Sequence, residues 1–381
     1  MCFLDVGGKV MEYIYIGVGV VLIFLLYFLY SLWKDEENIK TINLENPKQI
    51  NPIVDDIKSS YVDESVFESG VAKLDIKNEL ILKLKGEINK SIIGMDDFIN
   101  SVLIVLLADG HLLVEGVPGL AKTKTIGTLA KALDLKFKRI QFTPDMLPSD
   151  IVGVEVFNTK LKEFEVKRGP VFTNILLADE INRTTPKVQS ALLESMEERQ
   201  VSIGGESSIL DKPFLVLATQ NPIEQEGTYS LPEAQIDRFM MKVLVNYPKQ
   251  YEEKKILDIL ENNITIEKIL TKEQLLEFQS LVKQVTISNQ IKDYITRIVD
   301  TTRHNNKNLL YGASPRASIS LMFASKAVAF LQGRDYVTHE DVQKLVLNVM
   351  RHRIILTYEA QVQGYSPDSI LLGLLKDVTL E

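Results

Sequence analysis

An apolar run, Leu112 to Val114, leads into Gly116-Val117-Pro118-Gly119-Leu120-Ala121-Lys122-Thr123. A strand that ends in such a Gly/Pro-rich turn must feed a helix, with several backbone N–H groups aimed at one point where the helix dipole also favours an anion. Lys122 adds a mobile positive charge there. In the pattern G-x-x-x-x-G-K-[ST] the lysine reaches the outer phosphates of a nucleotide and the next hydroxyl, here that of Thr123, ligates magnesium. One position departs from the pattern, because Ala121 stands where a second glycine is usual. Lys124 completes the candidate phosphate-binding set.

Roughly 55 residues on, the spacing of one or two further α/β units, Ile175-Leu176-Leu177-Ala178-Asp179-Glu180 reads as a buried strand ending in two acids, a Walker B pattern. Four apolar residues in a row suit a parallel strand covered on both faces, so the carboxylates emerge at its carboxyl end beside the phosphate loop. That assigns Asp179 to the magnesium shell and Glu180 to accepting a proton from an attacking water. A third strand, Phe214 to Thr219, ends in Gln220-Asn221-Pro222. Asn221 is placed to orient that water or touch the terminal phosphate, or else Asn-Pro simply starts a turn; the tripeptide leaves both open. Farther on, Arg238 follows Asp237 just before a strand at Met241 to Val245. It suits a finger that stabilises a neighbouring subunit's transferring phosphoryl group, the alternative being an Asp237–Arg238 surface pair.

These motifs together resemble the AAA+ ATPases and, within them, the MoxR group. Gly116 to Thr123 with alanine in the sixth place, Ala178 to Arg183, Leu192 to Val201, Ala218 to Pro222 and Leu231 to Phe239 are similar to MoxR signatures, in order and spacing. The likeness runs from about 79 to 364. It implies an α/β fold: a P-loop AAA+ core with a parallel sheet flanked by helices, plus an α-helical lid. It further implies ATP and Mg2+ as cofactors, an adenine pocket at Ile92 and Ile93, and a second arginine from the lid, Arg316 in Ser314-Pro315-Arg316. Two segments look like axial hairpins of such machines: the stretch 143–172, with β-like runs at Val152 to Phe157 and Glu163 to Lys167, and Gln200 to Leu210 around Gly204-Gly205, itself a hairpin signal. The resemblance implies a homo-hexameric ring that remodels partner proteins, von Willebrand factor A domain proteins or other envelope proteins. A nucleotide-gated membrane scaffold with slow ATP turnover is the alternative.

Net charge of −8 argues against a nucleic-acid groove, which needs clustered Lys and Arg. One cysteine and four scattered histidines offer no zinc spacing, so magnesium is the metal implied. At the amino end, Tyr13 to Trp33 is uncharged, about 20 residues long and flanked by aromatics, which predicts a transmembrane helix. With ATP available in the cytoplasm, the expectation is a single-pass cell-membrane protein with a cytoplasmic ATPase domain. The chain then divides into a tail and span at 1–34, a polar tether at 35–72, a nucleotide-binding domain at 73–247 and a helical lid at 248–381. Helical spacing is expected over 74–89, 96–107, 250–262, 272–285, 288–304, 316–331 and 338–353, with Thr338 and Asp341 resembling a helix-capping pair.

Overall fold

The computed structural model describes residues 79–117, 119–221, 227–260, 264–304 and 307–379. The expected span at 13–33 and the tether at 35–72 lie outside these residues. Among the described residues no helix is long and apolar enough to cross a membrane. The longest has 17 residues, short of the roughly 20 that a bilayer needs, and its buried face packs within the helical part of the protein. The membrane-anchored, single-pass localisation is therefore corrected and goes no further.

Among the described residues, nine strands in chain order build the nucleotide half: β1 (Leu112–Glu115), β2 (Phe137–Gln141), β3 (Gly153–Asn158), β4 (Glu163–Arg168), β5 (Ile175–Asp179), β6 (Gln200–Ile203), β7 (Glu206–Ile209), β8 (Leu215–Gln220) and β9 (Met241–Leu244). Five form one sheet in the order β2-β5-β8-β1-β9, with every neighbouring pair parallel. Side chains along a strand point alternately to opposite faces, and the sequence obeys this on both sides. Leu112, Val114, Ile175, Leu177, Leu215 and Leu217 enter one hydrophobic cluster. Leu113, Leu176, Ala178, Val216 and Ala218 enter the other. Continuous apolar runs are the consequence of a sheet covered on both faces.

The register brings the carboxyl ends of the strands to one edge: Glu115 lies beside Gln220, and Gln141 beside Asp179. Residues 79–89 form helix α1, followed by α2 (Asp96–Leu107), α3 (Lys122–Ala132), α4 (Pro148–Val152), α5 (Pro186–Glu198) and the short α6 (Glu233–Ile236). α2 carries Asp96 and Asp97 in its first turn, where the dipole favours acids, and is buried from Phe98 to its end at Leu107 except at Asn100. α5 packs on the second face through Val188, Leu192, Leu193 and Met196.

Beyond Pro248 the chain is mainly helical: α7 (Gln250–Leu260), α8 (Lys272–Gln284), α9 (Asn289–Thr301), α10 (Pro315–Leu331) and α11 (His339–Met350) are its larger elements. The buried faces of α8 to α11, with Phe278, Tyr294, Leu321 and Val346, join α2 and the first face of the sheet in one cluster. Pro315 starts α10 without costing a hydrogen bond, since a first-turn N–H has no helical partner. The Thr338 N–H donates to Asp341 at 2.9 Å, so the anticipated pair closes the start of α11. Both anticipated hairpins form, β3 with β4 and β6 with β7. Gly204 and Gly205 turn the second one with φ of 59° and 87°, the left-handed pair that a two-residue hairpin turn demands.

Candidate functional site

The loop after β1 and the start of α3 wrap a cavity of about 480 Å3 at the sheet edge. Gly116 is required there by close approach, because a Cβ on it would lie 2.7 Å from the Val245 carbonyl oxygen. Gly119 turns the loop at φ +85° with open space beside it. Ala121 takes a left-handed φ of 52° immediately before α3. An L-residue pays for that conformation where glycine would not, so the departure seen in the sequence is visible as local strain.

Lys122 lines the cavity and donates to the Gly116 carbonyl at 2.9 Å. Burial pushes its pKa below the ordinary lysine value, and the carboxylates of Asp179 and Glu180 oppose that shift. A half-desolvated ammonium facing backbone N–H groups at a helix start suits an anion. Thr123 and Lys124 line the same cavity, as do Gly116, Gly119, Leu120 and Ala121.

β5 and β8 supply the acidic and amide edge. Asp179 accepts a hydrogen bond from the Thr219 hydroxyl at 2.6 Å, and that hydroxyl accepts from the Glu180 N–H at 2.9 Å. One threonine thus fixes both acids. Glu180 sits at φ 58°, with its carboxylate 2.9 Å from the Arg183 guanidinium. Strained backbone of this kind persists only when its surroundings over-determine it, and is common at functional sites. Asn221 is buried and lines the cavity. Thr123 and Asp179 bring a hydroxyl and a carboxylate to one cavity, hard oxygens that fit Mg2+, whose remaining ligands come from phosphates and water.

Other anticipated residues lie elsewhere. Pro118 is outside the described residues. Val117 is half-buried against the core. Ile92 is buried in that core and Ile93 half-buried, and neither lines the phosphate cavity; the adjoining Gly94 instead borders a depression of about 290 Å3 with Val245 and Tyr247.

Arg238 and Arg316 stand apart from their own chain's phosphate cavity and meet at a single acid. Arg238 is 3.0 Å from one Glu197 oxygen and Arg316 is 2.6 Å from the other. Asp237 does not hold Arg238: it accepts from Arg353 at 2.7 Å and from the Ser314 hydroxyl at 2.8 Å. The helical part therefore clamps the residue next to Arg238, while α10 carries Arg316 to the same surface.

Several residues escaped sequence reasoning, Thr219 among them. Arg139 and Gln141 line the cavity from β2; their period-two placement around the buried Ile140 was the available signal. Glu197 lies within a recognised motif but had no assigned role.

Comparison with known proteins agrees with this geometry. Residues 111–241 match the model of the ATPase family associated with various cellular activities (AAA), and 302–372 match the AAA lid domain. The protein YeaC of Bacillus subtilis is 46% identical over 302 residues, 78% of this chain and 94% of its own length. The chaperone MoxR1 of Mycobacterium tuberculosis is 44% identical over 305 residues, covering 77% of this chain and 80% of that protein. A crystal structure of a proposed ATPase from Cytophaga hutchinsonii superposes with a TM-score of 0.79 at 46% identity, over 83% of this chain and 99% of that one.

Proposed function

The chain belongs to the MoxR family of AAA+ ATPases, and from this we propose that it binds ATP with Mg2+, hydrolyses it, and couples hydrolysis to chaperone-like remodelling of partner proteins. The observation that carries the proposal is convergence: Lys122, Thr123, Asp179, Glu180 and Asn221, from three separate stretches of chain, face one cavity. Lys122 and the start of α3 bind the phosphates. Thr123 and Asp179 hold the cation, which supplies charge neutralisation at the phosphates. Glu180 takes the proton of the attacking water, with Asn221 orienting that water.

Arg238 and Arg316 complete the site in a neighbouring subunit, as part of a homo-hexameric ring. Their distance from their own phosphate cavity and their shared surface support this reading. Protein partners are the expected clients, with von Willebrand factor A domain proteins first among them by family likeness. The exposed apolar β3–β4 hairpin, where Phe157 and Phe164 stack edge to face, is a candidate grip.

The test is Glu180→Gln. Removing a general base slows the chemical step by about 10²- to 10⁴-fold, so the variant should bind ATP as the unaltered protein does and hydrolyse it far more slowly; unaltered turnover would remove Glu180 from the role. Wild-type turnover also decides the one competing reading, a nucleotide-gated scaffold. The Glu180–Arg183 ion pair favours that reading, because it occupies the carboxylate that must receive the proton.

A further inference from the structure

We infer that Arg139 is a positioning residue for the divalent cation, holding Asp179 closed until nucleotide and metal arrive together and then turning toward the phosphates. The inference rests on the ATP-binding reading above. Its ground is how the Asp179 carboxylate is used. One oxygen accepts from Thr219 at 2.6 Å, and the other accepts from both Nε and Nη2 of Arg139, at 3.1 and 2.7 Å. Two guanidinium N–H groups on one oxygen take the lone pairs that a cation or its bound water would use. A guanidinium and a divalent cation on one carboxylate also repel each other at such range. Arg139 therefore has to leave Asp179, or turn aside, for a cation to be held there.

The fold lets it do so. β2 is the edge strand of the sheet, and the Arg139 side chain is 44% exposed while Asp179 is only 17% exposed. The arginine can swing and the acid stays. Arg139 and Gln141 both line the phosphate cavity and touch through Nη2 and Oε1 at 3.4 Å, so the released guanidinium keeps a partner on the same strand. It also remains within the cavity that receives the phosphates, whose charge replaces the one it gave up. A cross-strand pair serving only the β2–β5 contact would have no effect on metal dependence.

The experiment uses the full chain and N-methylanthraniloyl-ATP, with fluorescence followed as free Mg2+ is raised, for the wild type, Arg139→Gln and Arg139→Lys. Loss of the competing cation should let Arg139→Gln reach half-maximal Mg2+-dependent binding at about fivefold lower free Mg2+. In excess EDTA the same variant should bind the nucleotide more weakly than the wild type. Arg139→Lys, which keeps the charge without the fork, should fall between the two. An unchanged or higher Mg2+ midpoint in Arg139→Gln, with wild-type binding still Mg2+-dependent, would overturn the role of Arg139 and leave the nucleotide site standing. Absence of binding by the wild type at every Mg2+ concentration would overturn both.

Discussion

The phosphate cavity and the arginine surface hold their charges in different ways. In the cavity the groups assigned to phosphate, metal and proton transfer each have an internal partner. Lys122 rests on its own loop's carbonyl, Asp179 on Thr219 and Arg139, and Glu180 on Arg183. At the other surface two arginines far apart in sequence share the one carboxylate of Glu197. Glu194 and Glu198 also line the shallow pocket beside Arg238. We read the first region as the nucleotide site and propose that the second acts on a neighbouring subunit's nucleotide.

Substitutions can break this contrast from either side. The largest effect is expected at the donor surface, where an arginine finger is worth about 10³-fold or more in rate. Arg238→Ala should lose that factor in steady-state hydrolysis of the assembled protein while equilibrium ATP binding stays unchanged. If binding falls with it, Arg238 serves its own subunit's nucleotide and the contrast collapses. On the cavity side the pattern should invert. Lys122→Ala removes charge-assisted contacts worth about 1.5–3 kcal/mol, so affinity measured by calorimetry should fall by about 10- to 150-fold; undiminished affinity would detach the loop from phosphate binding.

A smaller change sharpens the account of the loop itself. Ala121 holds a left-handed conformation that penalises an L-residue by roughly 1–2 kcal/mol, and glycine returns part of that gain through its freer unfolded chain. Ala121→Gly should therefore raise stability by at most about 1 kcal/mol, a rise of about 2–4 °C in melting temperature for a domain of this size. A lower melting temperature would show that the alanine methyl makes a contact outweighing the backbone strain.

The contrast between the two regions also explains what the sequence revealed. Strands β1, β5 and β8 were legible because burial on both faces forces uninterrupted apolar runs, and Lys122, Asp179 and Glu180 because they sit at the ends of those runs. Helix α2 was legible to the residue, its acids marking the start and its apolar stretch the body. Long-range electrostatics left no such trace. Glu197 meets Arg316 across 119 positions of chain, and Arg139 meets Asp179 across 40; both contacts exist only once the sheet and the helical part have assembled. The Asp237–Arg238 surface pair weighed as an alternative does not form, since Asp237 instead meets Arg353, which lies just beyond the end of α11. The expected membrane span rested on composition alone, and no described helix repeats it.

The central claim is that one subunit's cavity is completed by another's arginine, and mixing two crippled forms tests it most directly. Glu180→Gln and Arg238→Ala proteins are each assembled alone and then together in equal amounts, and ATP hydrolysis is measured per subunit. In a randomly mixed ring, about a quarter of the head-to-tail interfaces pair an intact Glu180 with an intact Arg238 from the neighbour. The account predicts that the mixture regains hydrolysis well above either form alone. A mixture no more active than the sum of its inactive parts, with mixed assembly shown by differential labelling, would contradict it and return Arg238 to its own chain.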